Sequence, residues 1–305
     1  MDTQRQARQP EEQTCQATED ATIILAFLHP QITRKVIENS KKLQFIQHYG
    51  AGYESIDIQA AAEHGIPVSN NPGWNSSSVA EQTIIFILMT LRKTLYTYKK
   101  SLEEGWKIAD NERSKLIDIV WDFQGKTLGL IGLGNIGKEV AKRAHPFGAR
   151  ILYFKRNRLS EEEEKTLGVE YRPFIDLLKE SDIVSLHLPL SEDTMNLISE
   201  EEIGLMKEGV ILINTSRVGL IDEEAATSAM KVGKLSGVGL DVARSRNIEG
   251  YMRAESPLFE FDNVVYALHT GGATREAISR SHKQWVENVC RVLRGDKPYF
   301  VVNNV

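Results

Sequence analysis

The hexapeptide "GLGNIG" puts Gly132, Gly134 and Gly137 at the spacing G-x-G-x-x-G, with Asn135 and Ile136 between them. It follows the apolar run "TLGLI" and opens the amphipathic run "NIGKEVAKRA", so the glycines fall where a strand turns into a helix. In that setting each glycine has its own task. Gly132 permits the tight turn, Gly134 lets the backbone approach a pyrophosphate at the helix N-terminus, and Gly137 lets helix and strand pack closely. About twenty residues further on, a site for NAD normally presents an acid to the ribose hydroxyls. Here the run "ILYF" is followed instead by Lys155, Arg156 and Arg158. Cations at that place suit a 2′-phosphate and favour NADP over NAD. The plain alternative is a solvated cluster at a strand end.

The elements that must carry this turn are legible from the hydrophobic pattern. A chain of 305 residues can form two domains with separate cores. Its net charge of −5 argues against a nucleic-acid or anionic-membrane partner. Cys15 and Cys290 are the only cysteines and lie far apart, so neither a disulfide framework nor a zinc site is expected. The longest apolar run, Ile84–Met89, is too short to span a bilayer, and no charged-then-apolar leader opens the chain. A cytoplasmic protein is expected. Residues 1–20 are polar and read as a mobile tail or a loosely docked arm.

Structure begins at "TIILAF", continues through a short helix over Ile32–Asn39 to "LQFIQH", and then reaches the short strand in "GIPVSNNPG". From Ser78 to about Leu102 the pattern is one long helix, apolar nearly all round in its first half. After "TLGLI" the runs "ILYF", "DIVSLHL", "VILINT", "GVGLDV" and "VVYAL" alternate with helical stretches. Two of those open with capping-box spacing, Ser160 to Glu163 and Ser199 to Glu202, and a last helix covers Arg275 to Arg294. Apolar strands alternating with helices imply an α/β fold with a doubly wound parallel sheet.

Taken in order, several motifs resemble the D-isomer-specific 2-hydroxyacid dehydrogenase family over nearly all of residues 20–305. They are "GAGYESID", "GIPVSNNPG" leading to "VAEQT", "GLGNIG", "SDIVSLHLPLSEDTMNLI", "LINTSRVGLIDEEA" and "ALHTGGATREA". The resemblance implies a Rossmann cofactor domain, residues 99–278, inserted into a smaller flavodoxin-like substrate domain, residues 1–98 and 279–305. It implies a homodimer that uses NADP(H) or NAD(H) to interconvert a small 2-oxo acid and its D-2-hydroxy acid. Glyoxylate- or hydroxypyruvate-like substrates suit many members.

The resemblance also implies roles for single residues. Arg217, after "VILINT", would take the substrate carboxylate and polarise the ketone, because its fork suits paired oxygen contacts. His269, after "VVYAL", would be the general acid in reduction and the general base in oxidation. Both follow strands at the ends where open α/β sheets bind ligands. Backbone amides at Ala51 and Gly52 would hold the substrate carboxylate, with Asn75 or Trp74 shaping the pocket. Asp241 would accept from the nicotinamide carboxamide. Pro189, Thr215 and Gly271 would line the same nucleotide, and His187 would pack beneath it. Each has a plainer reading: a surface arginine, one of seven histidines, a capping aspartate.

Three departures from the family pattern bear on function. The usual first β-α unit is missing before "TIILAF", which leaves a sheet edge open. Val218 stands where a glycine is usual; a positive φ there would strain a β-branched residue, so a different local turn is expected. Third, the family places a glutamate behind its histidine, five residues after the aspartate; here that residue is Arg246, in a lengthened loop. Glu249 is the first candidate to replace the glutamate and Glu255 the second. With no acid in place, the alternative function is a cofactor-binding sensor or interaction protein with weak or no catalysis.

Overall fold

The computed structural model describes residues 11–104, 116–248 and 251–305. The chain divides into two compact units, one running to Asn75 and resuming over Thr274–Val305, the other spanning Ser76–Ala273. The second unit begins earlier than the sequence boundary at residue 99. The reason is the helix Ser76–Leu91, whose buried Val79, Thr83, Phe86, Ile87 and Thr90 pack on the strands and the nearest helix of that unit.

The first unit holds a parallel sheet of three strands in the order β1 (Ile23–Ala26), β2 (Phe45–His48) and β3 (Val68–Ser69). Thr33 and Asp57 cap the intervening helices, accepting from the Val36 and Ala60 N–H groups. Ile24, Val36, Ile37, Ile46, Ala60 and Val68 form the core. Of the two expectations for the N-terminal segment, the mobile tail is corrected over Glu11–Thr18, which dock as a helix with Thr14 and Cys15 buried. Cys15 joins the core, and its carbonyl accepts from Asn39 Nδ2 at 2.8 Å. Composition concealed this helix because only one narrow face of it is covered. β1 is an edge strand, and Leu25, Phe27 and Leu28 beside that edge are 42%, 50% and 60% exposed.

The second unit holds seven parallel strands: β4 (Thr127–Ile131), β5 (Arg150–Phe154), β6 (Glu170–Tyr171), β7 (Ile183–Leu186), β8 (Val210–Asn214), β9 (Leu235–Leu240) and β12 (Val264–Tyr266). Their order is β12-β9-β8-β7-β4-β5-β6. Alternate residues feed two cores, one on each face: Leu128, Leu130, Ile151 and Tyr153 on one, Leu152, Val184, Leu212 and Val238 on the other. Both expected capping boxes form, at Ser160–Glu163 and Ser199–Glu202. The single long helix expected from Ser78 is two helices, Ser76–Leu91 and Thr94–Glu104, because Lys93 turns left-handed at φ 49°. Lys93 Nζ is drawn to the Ser236 carbonyl at 2.7 Å. A hairpin of β10 (Ser245–Ile248) and β11 (Tyr251–Ala254) follows β9.

Candidate active site

Because all seven strands run parallel, the segments leaving their C-terminal ends share one rim. Gly132 follows β4, Lys155 follows β5, His187 follows β7, Thr215 follows β8, Asp241 follows β9, and His269 lies shortly beyond β12. Strand order reverses between β4 and β7, the place where open sheets of this kind form a crevice.

The glycines at that crevice are constrained unequally. Gly132 has φ +96°, and a Cβ there would sit 2.4 Å from the His187 carbonyl oxygen. A Cβ on Gly137 would sit 2.3 Å from the Gly132 carbonyl oxygen. Gly134 caps the helix Asn135–Ala144, and nothing lies within 4 Å of a Cβ built on it. The two outer glycines therefore serve close packing, and the middle one leaves open space above the helix N-terminus. That cradle fits a dinucleotide phosphate.

Beyond β5, Arg158 is already committed. It donates to both Glu164 oxygens, at 2.8 and 2.9 Å, while the Tyr153 hydroxyl donates to the same carboxylate at 2.7 Å. These partners hold the Glu164 carboxyl down at about 2. Arg156 is different: it is 85% exposed and lies 3.6 Å from the solvated Asp193. Lys155 is half-buried beside it. At the next strand end, His187 pairs Nε2 with Ser185 Oγ at 3.0 Å, and burial pushes its imidazole down to about 3. It is an uncharged packing group. Pro189 is exposed, and its carbonyl accepts from Thr194 Oγ1 at 2.9 Å.

Arg217 sits half-buried on a turn leaving β8 and donates from Nη1 to the Ser216 carbonyl at 3.0 Å. Thr215 is buried, with its hydroxyl 3.2 Å from that of Thr83. At Val218 the local turn differs from one that needs glycine, as expected. Val218 opens a 3₁₀ turn, Val218–Leu220, and is not among the residues with positive φ, so no glycine is needed.

Asp241 is 1% exposed and faces the segment that follows β12. Its carbonyl accepts the His269 N–H at 2.8 Å, and its carboxylate accepts the Thr270 and Gly271 N–H groups at 3.1 Å. Burial is the main influence on this carboxyl and pushes it up, partly offset by those amides. A Cβ on Gly271 would come within 2.7 Å of Asp241 Oδ2. His269 adopts φ 55°, and its side chain is exposed. Among the described residues no carboxylate forms an ion pair with its ring. Glu249, the first candidate for that place, lies outside the described residues. Glu255 is exposed, and its N–H donates to the Arg244 carbonyl at 2.8 Å. Arg246 pairs in register with Arg253 across the hairpin.

In the first unit, the loop after β2 contains Ala51 and Gly52. Asn71 holds its start: the Asn71 N–H donates to the Gly50 carbonyl at 2.9 Å, and its side chain donates to Tyr49 O at 3.0 Å and Ser281 Oγ at 2.8 Å. Trp74 is buried against Tyr49, with ring centroids 5.2 Å apart, and Asn75 is half-buried. Neither Asn71 nor Ser281 is singled out by the sequence. An asparagine at a strand end has no signature until its partners are placed.

A family model described as D-isomer specific 2-hydroxyacid dehydrogenase, NAD binding domain, matches residues 84–271. The chain belongs to the D-isomer specific 2-hydroxyacid dehydrogenases. It is 38% identical over 284 residues to a glyoxylate reductase of Korarchaeum cryptofilum, covering 93% of this chain and 83% of that one. A solved protein from Thermus thermophilus is similar with a TM-score of 0.85 and 34% identity, over 97% of this chain and 90% of that one. A glyoxylate reductase from Paecilomyes thermophila gives 0.81 and 32%, over 95% and 87%. This dehydrogenase is an NAD(P)-dependent oxidoreductase that interconverts 2-oxo and 2-hydroxy acids, and the sensor alternative is not favoured. No helix among the described residues is long and apolar enough to cross a membrane.

Proposed function

We propose that the enzyme reduces small 2-oxo acids of glyoxylate or hydroxypyruvate size to D-2-hydroxy acids, with NADPH preferred over NADH. The observation that carries the reading is the shared rim. Arg217 and His269 leave strands on either side of β9, and Asp241 at the end of β9 fixes the His269 segment. A bound nicotinamide dinucleotide supplies the hydride in reduction and accepts it in oxidation. Gly132, Gly134, Asn135, Ile136 and Gly137 would hold its pyrophosphate, and Pro189, Thr215, Asp241 and Gly271 its nicotinamide half. Arg217 pairs with the carboxylate and polarises the ketone oxygen. His269 gives its proton to that oxygen in reduction and takes it back in oxidation.

Lys155 and Arg156 support the NADP preference, since both stand after β5 without a tight carboxylate partner among the described residues. The amides of Ala51 and Gly52 belong to the same proposal as carboxylate-binding groups, with Asn75 shaping the pocket. Glu249 is proposed as the acid behind His269, and Glu249→Gln should lower turnover while leaving cofactor affinity intact. A cytoplasmic homodimer completes the reading, in keeping with two free cysteines.

The test is loss of reduced cofactor with glyoxylate, hydroxypyruvate and pyruvate, using NADPH and NADH in turn. Turnover that disappears in His269→Ala supports the proposal. Cofactor binding without turnover on any acid overturns it, and better use of NADH overturns the cofactor assignment alone.

A further inference from the structure

We propose that Asn214 is a positioning residue for Arg217: its side-chain amide sets the turn on which the guanidinium stands. The inference rests on the proposed role of Arg217. Asn214 is the last residue of β8 and is 1% exposed. Both ends of its amide are used on the turn that follows. Oδ1 accepts the Ser216 N–H at 3.0 Å, and Nδ2 donates to the Arg217 carbonyl at 2.8 Å. A side chain that grips the backbone two and three residues ahead closes the loop locally, as asparagine does in turns.

The surroundings give this clamp something fixed to work from. Ser216 Oγ donates to the Leu186 carbonyl on β7 at 2.8 Å, and the Thr215 hydroxyl meets Thr83 on the helix Ser76–Leu91. The Asn214 carbonyl accepts the Asp241 N–H at 3.0 Å, on the neighbouring segment that holds His269. One residue therefore joins the backbone of Arg217 to the backbone that positions the proton donor. Side-chain chemistry restricts what can replace it. Aspartate keeps an acceptor for Ser216 but loses the donor to Arg217, and its charge would face the Arg217 carbonyl. Alanine offers neither bond. The turn needs a donor and an acceptor on one short planar group.

Steady-state kinetics on glyoxylate with NADPH should be compared for wild type, Asn214→Asp, Arg217→Lys and the double variant, with NADPH affinity and melting temperature recorded for each. Asn214→Asp should lower kcat/KM for glyoxylate by up to about 100-fold, the scale of an ångström-sized misplacement, with NADPH affinity unchanged. In the Arg217→Lys background the same substitution should cost no more than about threefold, because its effect runs through the guanidinium. A purely structural role would multiply the two losses instead, and that result overturns the inference. So does an Asn214→Asp enzyme with unchanged kinetics. If Arg217→Lys alone leaves kcat/KM intact, the role of Arg217 falls and the inference falls with it, which separates the two failures. Should Asn214→Asp not fold, Asn214→Ser carries the same comparison, since its short hydroxyl does not reach the Arg217 carbonyl.

Discussion

Asp241 and Gly271 are locked together: both Asp241 oxygens lie 3.1 Å from the Gly271 N–H, and a Cβ on Gly271 would intrude to 2.7 Å from Oδ2. The His269 segment is thus held by a buried carboxylate that accepts its amides, and only glycine lets that backbone come so close to the carboxylate. Removing the acceptor with Asp241→Ala leaves those N–H groups without it, at a stability cost of about 1–3 kcal/mol. Turnover should fall more than cofactor affinity, since His269 loses its anchor. Urea unfolding and steady-state kinetics on the same variant check both parts, and wild-type turnover would remove Asp241 from the mechanism.

The three glycines of the cofactor turn should respond differently to alanine. Gly137→Ala places a Cβ against the Gly132 carbonyl and should destabilise the second unit. Gly134→Ala meets open space and should leave the melting temperature near wild type. It should nevertheless weaken NADPH and NADH alike, by about tenfold, if the phosphates approach that backbone. Thermal melts with and without cofactor distinguish the pair; an alanine at Gly134 that binds both cofactors normally argues against the assigned phosphate site.

Cofactor choice should depend on Arg156 and not on Arg158. Arg156→Ala should raise KM for NADPH by about tenfold and barely affect NADH, as expected for loss of one charged phosphate contact. Arg158→Ala should leave that ratio unchanged and weaken the fold, because its partner is Glu164. The sign for Glu164 follows from its pKa of about 2 against an ordinary 4.5. The stabilisation from its partners is complete above pH 4.5 and is lost as pH falls toward 2. Arg158→Ala should therefore reduce acid sensitivity in that window. Equal losses of NADPH and NADH in Arg156→Ala would reject the phosphate contact.

His187 supplies a second acid-sensitive element. Its folded pKa of about 3 lies below the ordinary 6.5, so the unfolded chain binds the proton first. Stability is complete above pH 6.5 and declines as pH falls toward 3. Replacing the ring with His187→Asn should shrink the stability loss between about pH 7 and pH 4 by about 1–3 kcal/mol. Unfolding free energies of both proteins at the two pH values test this, and identical losses would dismiss it.

The sheet of the second unit was legible because its strands are apolar runs of the right length separated by helical periods. The glycine turn was legible because its spacing and flanks occur together. Other features depend on partners distant in sequence. Cys15 gives no sign that it reaches the core, and Asn71 gives none that it grips Tyr49 and Ser281. The hairpin of β10 and β11 escaped detection because neither "SRNI" nor "YMRA" alternates apolar and polar residues. At Val218 the departure from the usual glycine did signal a different local turn: the 3₁₀ turn Val218–Leu220 uses ordinary backbone angles.

The rim position of β1 gives the first unit a direction in which it comes apart. Among the described residues no strand lies outside β1, so its outward amides have no neighbouring strand to part from before they exchange. β2, buried along its whole length between β1 and β3, must lose a neighbour first. Unravelling of this unit therefore starts at Ile23–Ala26 and moves inward, leaving the strand that leads into the Ala51–Gly52 loop among the last to open.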